Sequence, residues 1–556
     1  MLNQNSNKPT KYIFVSGGVI SGLGKGIIMS SLSLLLKQAG YTVSPMKADM
    51  YLNIDAGTMN PLEHGESFVT EDGKETDLDL GHYERYLNID LHANNYMTMG
   101  QIYSEVLAKE RALEYHGKCV EGHIHIPEAI IEHIERNNKD AEVVLIEIGG
   151  TVGEYQNILF YEAVRRFKQK HKNDTILVHV VYLPVPKFLG EMKSKPAQAS
   201  IYELYKLGVS PDFVICRSED AVDEKRRGSI SFNTGVPADH IISSPDVDTV
   251  YKVPLVLQAQ NFEMLVQQDL GLSEPKKSDL SSWQAKIDKI NALTDSVTIG
   301  IAGKYFVSGN FSLEDSYVCV IEAIKHACWS LNLKPNIKWF DVENLDKEEV
   351  AKCDGIIVPQ GWGSRGVEGK IETVKLAREK QIPYLGLCFG MQMAAIEFGR
   401  DVLGFEKANS AEVDEKTKYP VIHVMPNQEE LLKKHQYGGT IRLGAWPCLV
   451  QKGSLLEECY KKWGGSRLDE NNIAMERHRH RYEFNNEYKV QYEKAGMVFS
   501  GTSPDGEIVE TMELPKDKHP FFLGTQYHPE FKSRFESPHP IFVGFIEASR
   551  KNQKRA

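Results

Sequence analysis

Apolar residues fall along this chain in short continuous runs separated by polar, glycine-bearing stretches. Tyr12–Val15, Tyr41–Lys47, Val143–Ile148, 175–183 and 213–217 read as strands, the continuous runs among them as buried parallel strands, and Ile27–Lys37, rich in Leu, Ile and Ser, reads as a helix. The rhythm breaks at 272–296, where Ser-Glu-Pro-Lys-Lys-Ser-Asp precedes a short predicted helix with Trp283, Ile287 and Ile290 on one face. It resumes at Val297–Lys304, 355–359 and 383–387. The pattern predicts an α/β protein of two domains, each a mostly parallel sheet with helices on both faces. The first spans 1–271, a linker 272–296, and the second 297–556; residues 1–11 are polar and read as frayed.

A length of 556 residues allows two to four domains at about 150 residues each. The 41% hydrophobic and 25% charged content is that of a soluble globular protein. A net charge of −11 argues against nucleic-acid binding. No apolar run approaches the roughly 18 residues that span a bilayer, and the glycine-crowded stretch 12–23 followed by Lys25 is no signal peptide. The eight cysteines are scattered without a CxxC pair, which points to reduced thiols in the cytoplasm.

The first candidate site is Ser16–Gly26, four glycines before Lys25 at a strand-to-helix turn. Backbone N–H groups, a helix N-terminus and a lysine form a phosphate cradle. Five residues between Gly18 and Gly24, and Gly26 where Ser or Thr would meet magnesium, depart from the usual P-loop. The acidic tract Thr70–Arg85 follows. If Asp77–Leu80 is extended, Asp77 and Asp79 face one way, offering carboxylates to Mg²⁺. Glu147 interrupts a buried strand at its C-terminal end, where doubly wound sheets bind ligands, and is the second expected metal ligand. Lys193, Lys195 and Gln198 could hold a second polyanion. The His123/His125 and His478/His480 pairs lack further metal-ligand spacing.

In the second half a predicted strand ends in Gly386-Leu387-Cys388-Phe389-Gly390, a thiol nucleophile elbow opening an apolar helix. A helix N-terminus favours thiolate. Gln526-Tyr527-His528-Pro529-Glu530 offers a base and a carboxylate to orient it, and Gly361 could lend a backbone N–H to an oxyanion.

Gly-x-Cys-x-Gly with His-Pro-Glu resembles the class I glutamine amidotransferases. With Ser16–Gly26, His64-Gly65-Glu66, Thr70–Arg85, Glu147–Gly153, Lys193–Gln198 and Glu476–Glu483, the chain resembles the CTP synthase family from about residue 10 to 548. The resemblance implies a P-loop synthetase domain joined to a glutaminase: ATP phosphorylates O4 of UTP, and ammonia from L-glutamine, carried through an internal tunnel, displaces phosphate. It implies Lys25 and Lys47 at the transferring phosphoryl group and Asp79 and Glu147 on Mg²⁺. ATP falls to Ser21, Gly22, Leu23, Gly24, Lys25, Gly26, Ile27, Asp79, Asp246 and Val247. UTP or CTP falls to Ser21, Glu154, Tyr155, Gln156, Lys193, Ser194, Lys195, Pro196, Ala197 and Gln198. Glutamine falls to Gly361, Phe389, Gly390, Met391, Gln392, Glu412 and Arg481. A homotetramer, GTP activation and CTP inhibition are also implied. Gln156, Ser229, Gly122–Pro127 and Pro245 depart from the family pattern, three of them around the pyrimidine nucleotide. The alternative is a related amidotransferase with another keto-nucleotide acceptor; a third reading is a non-catalytic filament-forming homologue.

Overall fold

The computed structural model describes residues 9–137, 140–272, 274–305, 307–308, 311–312, 314–425, 428 and 439–554. The expectation for residues 1–8 lies outside them. Two compact units emerge. One comprises residues 1–55, 82–89 and 94–288; the other comprises 56–81, 90–93 and 289–556.

The first unit is built on β1 (Lys11–Gly17), β2 (Val43–Asp49), β3 (Tyr96–Thr98), β4 (Val143–Ile148), β5 (Thr175–Tyr182), β6 (Phe213–Ser218) and β7 (Ile241–Pro245). They form one seven-stranded sheet in the order β3-β2-β4-β1-β5-β6-β7, parallel throughout. Ile13, Phe14 and Val15 are all buried, so both faces of β1 are covered, as a strand without alternation requires. The order places β2, β4 and β1 side by side, with their C-terminal ends along one rim. The helix Ser281–Asn291, foreseen in the linker, buries Trp283 and Ile287, and the Trp283 indole donates to Tyr251 O at 2.7 Å.

The second unit holds β8 (Ser296–Gly303), β9 (Lys334–Asp341), β10 (Gly355–Val358), β11 (Tyr384–Leu387), β12 (Arg442–Val450), β13 (Ile473–His480), β14 (Val498–Thr502), β15 (Val509–Leu514) and β16 (Phe522–Thr525). The nine-stranded order is β9-β8-β10-β11-β16-β15-β14-β12-β13. It is parallel as far as β16 and antiparallel beyond. Ile356, Val358 and Tyr384 pack into one apolar cluster and Ile357, Leu385 and Leu387 into another, so the sheet is sandwiched between two layers. The segment ahead of and within the acidic tract contains a small hairpin pairing Phe68–Val69 with Glu75–Thr76.

The extended reading of Asp77–Leu80 is corrected. A helix begins at Asp79 and runs to Leu87, while the Asp77 carboxylate accepts from Leu78 N at 2.6 Å. Local capping at the turn wins over extension, and the alternation that would have aligned the two carboxylates is lost. Among the described residues, no helix is long and apolar enough to cross a membrane.

Candidate active site

In the first unit, Gly24 adopts φ 79° and caps helix α1 (Lys25–Gln38), and Gly22 adopts φ 72°. Both lie in the left-handed region that glycine enters without strain. A side chain on Gly17 would come within 2.9 Å of the Lys25 amine, so its absence lets Lys25 fold back and donate to Gly150 O at 2.7 Å. Lys47 and Glu147 are register partners on β2 and β4. Both are buried, with Lys47 Nζ 2.8 Å from Glu147 Oε1. Tyr83 donates to the other Glu147 oxygen at 2.5 Å. Asp49 Oδ1 lies 3.9 Å from Lys47 Nζ. The Glu147 and Asp49 carboxylates are hard oxygen donors of the kind Mg²⁺ takes, although among the described residues no group of three or more His, Cys, Asp or Glu side chains is placed to hold a metal ion. Asp79 lies in the second unit.

His179 on β5 joins two parts of this site that were read separately. One ring nitrogen is 2.8 Å from Ser16 Oγ and the other 2.6 Å from Ser200 Oγ, on the helix Lys195–Lys206 that the 193–198 segment opens. Burial, then the Lys25 charge, push the imidazole down to about 3, so it is neutral. It sat inside an apolar run and looked like an ordinary strand residue. Lys193 pairs with Glu191, and Gln198 Nε2 donates to Ser194 Oγ at 3.2 Å and Ser229 Oγ at 3.3 Å. Arg226 Nη2 reaches Glu191 at 3.0 Å, which puts a cation beside this segment. Glu154 accepts from Thr151 N at 2.8 Å; Tyr155 and Gln156 are exposed. Asp246 follows β7 and pairs with Arg217 at 2.8 Å.

In the second unit, Gly361, Cys388 and His528 follow the C-terminal ends of the adjacent parallel strands β10, β11 and β16. Cys388 caps helix α2 (Phe389–Asp401) at φ 50°, ψ −100°, and its N–H donates to Thr525 O at 2.6 Å. A non-glycine residue at positive φ is strained, and the neighbours explain how it is held. A Cβ on Gly386 would lie 2.8 Å from Gly390 C, and one on Gly390 would lie 2.0 Å from Val358 O. Both glycines of the elbow are therefore clearance for the turn.

His528 Nδ1 is 2.7 Å from Glu530 Oε1, and its Nε2 is buried without a hydrogen-bond partner among the described residues. Burial opposes the imidazolium, but the Glu530 carboxylate and the Cys388 sulfur outweigh it and hold His528 up to about 10. A cavity of about 20 Å³ lies against Cys388, lined also by His528, Gly361, Gln360, Glu66 and Arg479. That is room for one water-sized molecule. Glu66 accepts from Gln360 Nε2 at 2.5 Å and from Cys319 N at 2.7 Å. Arg479 donates to Glu75 at 2.8 Å and stacks 5.3 Å over Trp362. The hairpin segment thus supplies two carboxylates to the surroundings of this thiol, a placement only the tertiary fold makes.

Of the remaining residues expected at glutamine, Phe389, Gly390 and Met391 form the buried first turn of α2. Gln392 Nε2 donates to Tyr482 O at 2.9 Å, and Glu412 accepts from Gly363 N at 2.7 Å. Arg481 bonds Gln428 and Thr440, each at 2.8 Å. His478 and His480 are buried; His478 Nε2 lies 2.8 Å from Glu510.

A phosphate cradle on one α/β unit and a thiol acyl-transfer centre on the other define a glutamine-dependent amidotransferase. The family model described as "CTP synthase N-terminus" matches residues 11–272, and "Glutamine amidotransferase class-I" matches 312–548. The CTP synthase of Halalkalibacterium halodurans is 46% identical, covering 97% of this chain and 99% of its own. That of Bacillus subtilis is 44% identical over 98% and 100%, and that of Pyrococcus abyssi 45% over 98% of each. The chain belongs to the CTP synthase family, glutamine-hydrolysing ligases that aminate UTP to CTP. An acceptor other than UTP is not favoured.

Proposed function

We propose that the two centres divide the reaction between phosphoryl transfer and ammonia supply. In the second unit, His528 takes the Cys388 proton and the thiolate attacks the glutamine γ-carboxamide carbon. The negative charge that develops on the carboxamide oxygen meets the Gly361 N–H and the free N–H groups of the first turn of α2. His528 then gives its proton to the departing nitrogen, ammonia leaves, and water cleaves the thioester to glutamate. Glu530 orients the imidazole and stabilises its charged form.

In the first unit, Lys25 and Lys47 neutralise charge on the phosphoryl group passing from ATP to UTP O4. Glu147 is the residue that would hold Mg²⁺ there, with Asp79 the second carboxylate expected from sequence; the ion, when bound, would supply positive charge to the phosphates. The remaining cradle residues 21–27 with Asp246 and Val247 serve ATP, and Glu154–Gln156 with Lys193–Gln198 serve the pyrimidine nucleotide. GTP activation, CTP inhibition, a homotetramer and a cytoplasmic setting belong to the same proposal, supported by family membership and by eight free cysteines.

The Cys388 elbow with its His528–Glu530 pair carries this reading. The test is CTP formation from UTP, ATP, Mg²⁺ and either glutamine or ammonia, with and without GTP. CTP from both nitrogen sources, with Cys388→Ala losing only the glutamine-driven half, is the expected result. Glutamine use that survives Cys388→Ala would overturn it.

A further inference from the structure

Two buried lysines stand behind the loop that carries Gly361, and the sequence marks neither. Lys370, on the helix Val367–Lys380, is completely buried; its Nζ donates to Pro359 O at 2.6 Å and Gln360 O at 3.2 Å. Lys304, just past β8, is 5% exposed; its Nζ donates to Trp362 O and, at 3.1 Å, to Arg365 O. Both amines lie close to the Phe389 ring, at 5.2 and 5.3 Å, beside the residue after the nucleophile. Gly361 is wedged between them, since a Cβ there would lie 3.1 Å from Lys304 Cε and 3.2 Å from Lys370 Nζ.

A trans peptide points its carbonyl and its N–H in opposite directions. Fixing the Gln360 carbonyl on Lys370 therefore turns the Gly361 N–H away from that lysine. The neighbouring peptide shows the same rule at work: Lys304 holds the Trp362 carbonyl, and the Gly363 N–H on the opposite side donates to Glu412 at 2.7 Å. The Gly361 N–H has no acceptor among the described residues, and Gly361 lines the cavity against Cys388. A buried amide donor left without an acceptor is costly unless something arrives to use it.

We propose that Lys370, seconded by Lys304, is the positioning residue of the oxyanion site: it clamps the Gln360 carbonyl so that the Gly361 N–H is aimed at the oxygen of the glutamine carboxamide as it becomes tetrahedral. An amine donating to the carbonyl also polarises that peptide and strengthens its N–H as a donor. Burial, then the Lys304 charge, push the Lys370 amine well below its ordinary range, whereas the Cys388 sulfur favours its charged form. Negative charge arriving at the reacting centre thus acts on the clamp in the direction that tightens it.

The proposal rests on Cys388 being the glutaminase nucleophile, so Cys388→Ala is run in parallel and reports on that reading alone. The test is Lys370→Met in the full-length enzyme. Glutamine-driven kcat should fall by about 10²-fold, the loss typical of one oxyanion donor, with KM changed less than threefold and ammonia-driven CTP synthesis kept. Reversible binding of glutamate γ-semialdehyde, whose thiohemiacetal places an oxygen where the oxyanion forms, should weaken by about the same factor. Alkylation of Cys388 by iodoacetamide, which needs no oxyanion donor, should keep its rate. An unchanged kcat and unchanged aldehyde affinity would overturn the proposal, as would equal loss of alkylation and aldehyde binding, which would put the lysine's effect on the thiolate. If Lys370→Met also loses ammonia-driven synthesis, Lys304→Met is read by the same aldehyde measurement, and undiminished affinity there overturns the proposal.

Discussion

Glu530 Oε1 sits 2.7 Å from His528 Nδ1, while the opposite ring nitrogen is buried and has no hydrogen-bond partner among the described residues. The carboxylate fixes which nitrogen faces the thiol and overcomes the burial that would otherwise keep the ring neutral, holding it up to about 10. Replacing Glu530 by Gln keeps the shape and removes the charge, so burial should then dominate and the His528 pKa should fall below 6.5. We expect glutamine-driven kcat to drop about 10²–10⁴-fold, on the scale of other triad carboxylates, with ammonia-driven synthesis intact. NMR titration of the ring reads the pKa directly; a value still near 10 would contradict this account.

The same pair has a stability consequence. His528 is raised in the folded state above its unfolded 6.5, so the stabilisation is fully present below about pH 6.5 and is lost as pH rises through 10. Urea midpoints of the wild type should therefore decline across that window more steeply than those of His528→Gln. Parallel pH profiles would refute the assignment.

Lys47 and Glu147 form an ion pair that is almost wholly removed from water. Removing one partner of such a pair strands the other's charge, at a cost of about 3–5 kcal/mol. Lys47→Met should lower stability on that scale and abolish CTP formation from either nitrogen source. Lys47→Met with Glu147→Gln should recover much of the stability without any activity. A denaturant series on the three proteins decides it, and a double variant no more stable than the single one would show that the pair is not coupled.

Lys25 reaches back to Gly150 O across the space Gly17 leaves open. Lys25→Ala should stop CTP formation from both glutamine and ammonia while leaving Cys388-dependent glutamine hydrolysis measurable. Ammonia-driven synthesis within tenfold of wild type would remove Lys25 from the phosphoryl-transfer step.

What could be read from the chain followed the range of the interactions involved. Cys388 with its glycines, and His528 with Glu530, are local arrangements whose geometry is set within a few residues, and the fold keeps them as spaced. Glu147 stood out because a charge in an apolar strand needs a partner; the sequence pointed to magnesium as that partner, and in the structure the carboxylate pairs with Lys47. Lys304 and Lys370 gave no such signal: a lysine after a strand or on a helix is ordinarily solvated, and their burial depends on how β8, β10 and the helix Val367–Lys380 meet. The stretch Asp77–Leu80 was not legible as a helix start because the acidic, glycine-bearing tract resembles a loop, whereas a helix begins at Asp79. The packing of residues 56–81 with the C-terminal unit is likewise a tertiary outcome, carried by pairs such as Arg477–Glu71 at 2.9 Å and Arg479–Glu75 at 2.8 Å.

Gly390 offers the most local test of the elbow. The first turn of α2 passes so close to β10 that a methyl group on Gly390 would overlap the Val358 carbonyl, at 2.0 Å. That carbonyl belongs to the backbone and has no rotamer by which to withdraw. Gly390→Ala must therefore push α2 off the strand or flatten the turn at Cys388, relaxing its φ of 50°. Overpacking of this kind costs about 1–3 kcal/mol, and displacing the sulfur by an ångström should cost glutamine hydrolysis about 10²-fold. Ammonia-driven synthesis, which does not use the thiol, should persist at the assay temperature. A Gly390→Ala enzyme with wild-type glutaminase kcat would mean that the turn tolerates the shift and that the glycine is not what exposes the sulfur.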